Sequence, residues 1–376
     1  MSTDRGVPFG DYALVRRLAR GGMAEVFLAR QKALDGWGRQ VAIKRILPHL
    51  ADAPALIRMF VDEARVAATL SHSNIVHIYD VGKVGDDYYI AMEFVDGIHA
   101  GQLVLHRDRL PPTLIARIGA DAAAALAYAH DHKDERGRPQ PVVHRDVSPH
   151  NLMVSWGGAV KLVDFGIAKA LGGDETRPGV VKGKYAYMSP EQAVGRTVGG
   201  ASDVFSLGLV LWELCAGRHA FERGDPAAVM RLIRDGRVPS LAQAAPGIPM
   251  PLAEAIGWAL QREPGQRATA AELGAALEGF IKASPELATP RELAAWLAPR
   301  FPHAASASVG DETGKTIGTV VATGTSAALG TAVGVTAIGT AIGTAAVPAR
   351  ARTSTAPPPR PRTATAPAPR AATAPR

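Results

Sequence analysis

The sequence predicts an α+β protein in two lobes, a small β-rich one followed by a larger helical one. Two observations carry that expectation. Before residue 96, short segments of β-branched and aromatic residues alternate with Gly and Asp clusters, with one helical interval among them. After residue 110 the character turns helical. A third observation closes the packed part of the chain: Phe301 is the last aromatic residue, and Ala, Thr, Gly and Pro dominate the remaining residues. Such a composition buries too little side-chain surface to offset the entropy of ordering.

Strands are expected over 12–19, 24–30, 40–47, 75–81 and 88–94, with a helix over 54–70 between the third and fourth. Helices are expected over 111–132, 202–216, 225–235, 251–261 and 269–282. The resulting organisation is an N-terminal extension (1–11), one compact unit (12–282, its lobes dividing near 95), a helical appendix (283–303) and a flexible tail (304–376). In the appendix, Thr289 reads as an N-cap and Pro290 as the first helical residue.

Composition excludes several classes. A hydrophobic content of 47% with 20% charged residues fits a protein with a sizeable core rather than a disordered chain. The single cysteine, Cys215, rules out an intramolecular disulfide and a multi-thiolate zinc site. No apolar run succeeds the N-terminal residues, so no secretory signal is expected and a cytoplasmic location is. The net charge of +7 is a property of the tail: six arginines lie between 348 and 376, leaving 36 basic and 35 acidic residues before them. No specific nucleic-acid partner is expected from a basic arm of that kind.

The chemistry-bearing residues come in order along the chain. LARGGMAEVFLAR joins the first two strands, and Gly21 and Gly22 let backbone amides approach a phosphate, although a plain hairpin turn explains them equally well. VAIK comes next, with Lys44 among Val41, Ile43 and Ile46. On the next helix Leu56, Phe60, Glu63, Ala67 and Leu70 share one face, and Glu63 is the only charge on it. A buried carboxylate needs a partner, and Lys44 is the candidate; two unrelated snorkelling charges are the alternative. VVHRDVSPHNLMV then places Asp146 and Asn151 in a loop before a hairpin that turns at Gly157 and Gly158 and ends at Asp164 in DFG. Two carboxylates and an amide oxygen are hard ligands suited to Mg²⁺ with phosphates. A second HRD, at 106–108, has no such hairpin behind it and reads as coincidence.

With these motifs in order, and with SPE (189–191), Asp203 at the start of an apolar helix and Arg267 in REPGQRATA after them, the chain resembles a protein kinase of the bacterial Ser/Thr type over about residues 12–282. The resemblance implies a two-lobed kinase fold and transfer of the γ-phosphoryl group of MgATP to protein hydroxyls, with autophosphorylation. A nucleotide-binding scaffold and a small-molecule phosphotransferase are the alternatives. It implies that Lys44, held by Glu63, binds the α- and β-phosphates, that Asp146 orients the substrate hydroxyl, and that Asn151 and Asp164 hold the metal. Met92 would be the gatekeeper, Glu93 to Val95 the hinge against adenine, and Leu18, Val26, Ala42 and Met153 the walls around the ring. Glu191 would pair with Arg267.

Three departures from the family pattern stand out. Ala19 and Ala24 occupy the first and third glycine positions of the glycine-rich loop. Ser148 stands where a lysine is usual, and Lys184 where a threonine is usual; the expectation is a swap, with Lys184 supplying the ammonium from the other side. Thr176 is the only Ser or Thr between DFG and SPE, and its phosphate is expected to pair with Arg145. In the tail, 317–347 runs for 31 residues without a charge. It is long enough to cross a bilayer, but its Gly and Thr content and the arginines beyond favour a linker, so a membrane anchor is the alternative. The sequence identifies neither a protein substrate nor an oligomeric state.

Overall fold

Three strands come first among the described residues, β1 (Val7–Phe9), β2 (Tyr12–Arg20) and β3 (Ala24–Gln31), each antiparallel to the last. The computed structural model describes residues 6–33, 38–50, 53–165, 184–221 and 225–302, with the side chains of Glu63 and Lys184 outside that description. Strand β4 (Gln40–Ile46) pairs with β3 and with β6 (Asp87–Glu93), and β5 (Ile78–Val84) forms the far edge. The sheet order is β1-β2-β3-β4-β6-β5. Helix α1 (Pro54–Ala68) starts at a proline, whose missing N–H costs nothing in a first turn, and buries Phe60, Ala64 and Ala67.

Two strands differ from expectation, and the first is β1, which lies in the stretch expected as an N-terminal extension and pairs with β2. The fourth was expected from residue 75, but β5 begins at Ile78. Ile75 and Val76 belong elsewhere: Val76 N–H donates to the Leu162 carbonyl at 2.9 Å, and the Leu162 N–H donates to the Asn74 carbonyl at 2.8 Å. Both apolar side chains are buried there, so their extended backbone serves a second sheet and not the first.

That second sheet consists of β7 (Gly97–His99), β8 (Leu152–Ser155) and β9 (Val160–Leu162). Helix α2 (Ala100–Val104) begins directly after β7. Neither β7 nor α2 is visible in the sequence pattern, because each is too short to show a period.

The larger lobe is built on α3 (Pro112–His130) and α5 (Gly200–Ala216), with the short α4 (Pro190–Ala193) between them in sequence. Nearly every side chain of α5 is buried, which is what a helix apolar on all faces demands. Gly119 lets α3 approach its neighbours: a Cβ there would come within 2.8 Å of Leu211 and 2.9 Å of Leu277. Leu277 lies on α9 (Ala270–Ala283), after α6 (Pro226–Arg234), α7 (Leu241–Ala244) and α8 (Met250–Ala259).

The appendix forms α10 (Pro290–Leu297), started by a capping box between Thr289 and Glu292. It packs onto the large lobe through Leu293, Trp296 and Leu297. The Trp296 ring meets His106 edge-on at 5.8 Å, and Arg300 donates to Asp108 at 3.0 Å. The second HRD is therefore a docking point for the C-terminal helix, which accounts for two of its three residues without catalysis.

Candidate active site

Lys44 reaches from β4 into the space between the lobes. Its ammonium meets the Asp164 carboxylate at 3.1 Å, with both side chains largely buried. The Glu63 side chain, its expected partner, lies outside the described residues. In this arrangement a group suited to phosphate oxygens and a group suited to a cation neutralise each other.

Asp146 and Asn151 share the loop before β8. The Asn151 side-chain amide donates to the Asp146 carbonyl at 2.8 Å and to its Oδ2 at 3.1 Å. Its N–H groups are thus spent on Asp146, leaving Oδ1 as the atom able to ligate a cation. The same loop is tied to the strand carrying Asp164: Val163 N–H donates to the Asn151 carbonyl at 3.0 Å. Among the described residues no three His, Cys, Asp or Glu side chains gather into a metal cluster. A carboxylate and an amide oxygen of this kind fit Mg²⁺ that arrives with nucleotide phosphates and keeps other ligands from them.

His144 holds this junction from beneath. It is fully buried, and its Nε2–H donates to the Val163 carbonyl at 3.1 Å while Nδ1 accepts from the Asp146 N–H at 3.3 Å. Only the neutral imidazole makes both bonds, and desolvation holds its pKa below the ordinary range. Its ring lies 4.6 Å from Phe165.

Among the described residues two non-glycine residues adopt left-handed backbone conformations, Arg145 (φ 65°) and Asp164 (φ 57°). Such conformations cost energy and persist only where neighbours enforce them. At Arg145 the enforcement comes from Asp203, whose carboxylate accepts the Arg145 N–H at 2.7 Å and the His144 N–H at 2.8 Å. Gln192 of α4 adds a bond to the Arg145 carbonyl at 3.1 Å. The Arg145 guanidinium has no carboxylate partner among the described residues. Thr176 lies outside them.

An apolar cluster adjoins these groups. Leu18, Val26, Ala42, Met92, Val95 and Met153 are all buried in one cluster, together with Ala19, Leu28, Val76 and Val163. For Val76 and Val163 no sequence signal marks this role. Glu93 N–H is committed to the His77 carbonyl at 2.8 Å, and its carboxylate to Lys161 at 2.7 Å. Gly21 N–H closes the β2–β3 turn on the Ala24 carbonyl at 2.8 Å, and neither Gly21 nor Gly22 has positive φ. Ala19, just after a register shift in the β2–β3 pairing, and Ala24 both lie within strands, so their Cβ atoms leave the hairpin intact. A cavity is lined by Lys44, Ala64, Ala67, Met92 and Phe165.

The front of the cleft has a further contact. His99 stacks on His150, one residue before Asn151, with ring centroids 4.8 Å apart. Desolvation first, and the neighbouring imidazole second, push the His99 pKa down to about 4. Gly101 N–H donates to the Pro149 carbonyl at 3.1 Å, joining α2 to the catalytic loop.

Within the large lobe Glu191 and Arg267 form a bidentate pair at 2.7 Å for each bond. Arg267 also donates to the carbonyls of Ala201, Gln261 and Arg262, so all five of its N–H groups are satisfied. Ser148 is buried in the catalytic loop. The Lys184 side chain lies outside the described residues, at the start of a 3₁₀ turn ending at Tyr187.

Fold and site together define a two-lobed phosphotransferase cleft, with an ammonium and a carboxylate facing one another beside a cluster of apolar side chains. The chain belongs to the protein kinase domain family, whose model matches residues 12–276. It is 43% identical over 280 residues to the tyrosine-protein kinase MasK of Myxococcus xanthus, covering 73% of this chain and 43% of that one. It is 36% identical over 264 residues to the serine/threonine-protein kinase PrkC of Bacillus subtilis, covering 70% and 39%. Against the serine/threonine-protein kinase PknB of Mycolicibacterium smegmatis it is 39% identical over 300 residues, covering 76% and 46%. The crystal structure of the Mycobacterium tuberculosis PknI kinase domain aligns with a TM-score of 0.55 at 29% identity, covering 74% of this chain and 99% of that one. The chain spans less than half the length of these curated relatives. No helix among the described residues is long and apolar enough to cross a membrane, and 317–347 lies outside them.

Proposed function

We propose that this chain transfers the γ-phosphoryl group of ATP to serine and threonine hydroxyls of a protein substrate and of itself. The observation that carries the reading is the meeting of Lys44 with Asp164 at 3.1 Å, next to the Asp146–Asn151 hydrogen bond. Mg²⁺, held by Asp164 and the Asn151 Oδ1, would offset the negative charge of the phosphates. Lys44 binds the α- and β-phosphate oxygens. The substrate hydroxyl attacks the γ-phosphorus, the bond to the β–γ bridging oxygen breaks, and the hydroxyl proton is accepted or directed by Asp146. Adenine fits between Leu18, Val26 and Ala42 above and Met153 below, with Val95 at the hinge and Met92 at the back.

Serine and threonine are favoured over tyrosine by the two relatives named for that activity, PrkC and PknB. MasK, which carries the tyrosine name, makes the acceptor the first thing to measure. Radiolabelled ATP with Mg²⁺, given to the chain alone and with a generic basic protein, should label both, and acid hydrolysis should yield phosphothreonine and phosphoserine. Phosphotyrosine as the main product would overturn the acceptor class, and no label under any condition would overturn the activity.

Two features of regulation and catalysis extend the proposal. Lys184 supplies the ammonium that the Ser148 position lacks, on the support of the sequence exchange between the two positions. A phosphate on Thr176 pairs with Arg145, on the support of a guanidinium that meets no carboxylate among the described residues. The single cysteine is buried, with desolvation pushing its thiol up to about 12, so it has no part in the chemistry. We assign the kinase domain, 12–282, to the cytoplasm, where its nucleotide is found.

A further inference from the structure

Below the catalytic loop, α4, the C-terminal end of α6 and the segment after α8 enclose a shallow cleft lined by Pro190, Val194, Arg196, Arg234, Arg262 and Glu263. Three of the residues that line it are arginines. Among the described residues Arg234 has only its own neighbour Asp235, at 3.3 Å, and Arg262 approaches Glu263 no closer than 3.9 Å. Arg196 meets no carboxylate among the described residues. Glu191, which also borders the cleft, cannot neutralise them, because both of its oxygens are taken by Arg267.

The arrangement is built rather than incidental at two points. Gly236 has φ +67°, and a Cβ there would strike the Arg262 stem at 2.8 Å, so this glycine makes the room in which Arg262 lies. Val194, 44% exposed, adds an apolar side chain to the lining. The cleft is also tied to the reaction centre: Gln192, on the same short helix as Pro190, bonds the carbonyl of Arg145, beside Asp146.

We propose that this cleft is a docking site for an acidic segment of the protein substrate, whose carboxylates pair with Arg196, Arg234 and Arg262. Fork-shaped guanidinium groups suit carboxylates in bidentate geometry, and clustered arginines are a recurring solution for acidic motifs. The proposal rests on the kinase reading for its purpose, but binding can be measured without turnover. The probe is a fluorescein-labelled peptide with one threonine followed by a short run of Glu, compared with the same peptide carrying Lys in place of Glu. Fluorescence anisotropy with the full chain and no ATP should show binding of the Glu peptide only. Arg196→Glu, at an exposed position whose side chain has no ion pair to lose among the described residues, should weaken that binding about tenfold, as a few exposed ion pairs and one new repulsion would. Arg262→Glu should do the same. Failure of the wild-type chain to bind the Glu peptide, equal binding of the Lys peptide, or undiminished binding by Arg196→Glu would each overturn the proposal. Labelling of a short neutral threonine peptide should be unchanged in Arg196→Glu, so loss of the kinase reading and loss of the docking site give different results.

Discussion

Asp203, at the first turn of α5, holds the backbone of Arg145 in its left-handed conformation through a 2.7 Å hydrogen bond. The same carboxylate accepts from His144 N–H and from the His130 ring at 2.8 Å each. Three donors on one carboxylate leave no spare acceptor if an oxygen is lost. Asp203→Asn, which replaces one oxygen by an N–H₂, should cost about 1.5–3 kcal/mol, the usual range for hydrogen bonds to a charged group. It should also relax the loop carrying Asp146. Urea unfolding and labelling of a generic protein should both register the change; an unaltered midpoint would mean the strain at Arg145 is held elsewhere.

The Glu191–Arg267 pair is buried, with the Arg267 side chain wholly inaccessible. Arg267→Ala strands a carboxylate in the interior and should destabilise the large lobe by about 3–5 kcal/mol. Arg267→Lys should recover little of this, because an ammonium has three N–H donors and no fork. Thermal unfolding of the two variants separates charge from geometry.

The small lobe should be sensitive to alkali. Tyr12 and Tyr89 both donate to Asp80, at 3.5 and 2.7 Å. Burial first, and the Asp80 charge second, raise the Tyr12 pKa from 10.0 to about 12, and burial with the bond to Asp80 raises that of Tyr89 further. A raised folded-state pKa means that the folded state favours the protonated phenol. The stabilisation is complete below pH 10.0 and is lost as pH rises through about 12. Unfolding free energy measured against pH should fall across that window, and Tyr12→Phe should make the fall shallower.

Lys184→Met should abolish phosphoryl transfer while leaving nucleotide binding unchanged, as judged by titration of a fluorescent ATP analogue. Full turnover in this variant would return Ser148 to being a plain loss of the usual lysine. Thr176→Ala should lower activity severalfold, and Arg145→Ala should remove any further effect of it, since the two act as a pair.

The motif residues were legible because phosphoryl chemistry fixes residue types at short spacings: Asp146 and Asn151 lie five positions apart and bond one another. The longer helices were legible from their periodicity. Other features lacked such a signal. Val76 and Val163 look like any valines until the topology brings them together with Met92. Asp203 was recognisable as an acid opening an apolar helix, but the amides it accepts lie 58 and 59 positions away. The stacking of His99 on His150 depends on β7 and α2, elements too short for a pattern, and the partner of Asp108 is 192 positions downstream.

That distant partner has a practical bearing on where the chain can be cut. Phe301 lies 6.3 Å from Trp156, ring to ring, and the Trp156 indole N–H in turn donates to Asp96 just past Val95. Truncation after Ala283 would strip the cover from the surface on which Leu293 and Leu297 rest, inviting self-association. It would also unseat a tryptophan that braces the segment joining the two lobes. The smallest piece expected to keep that surface covered and that segment braced therefore extends past residue 301, some way beyond the last residue matched by the family.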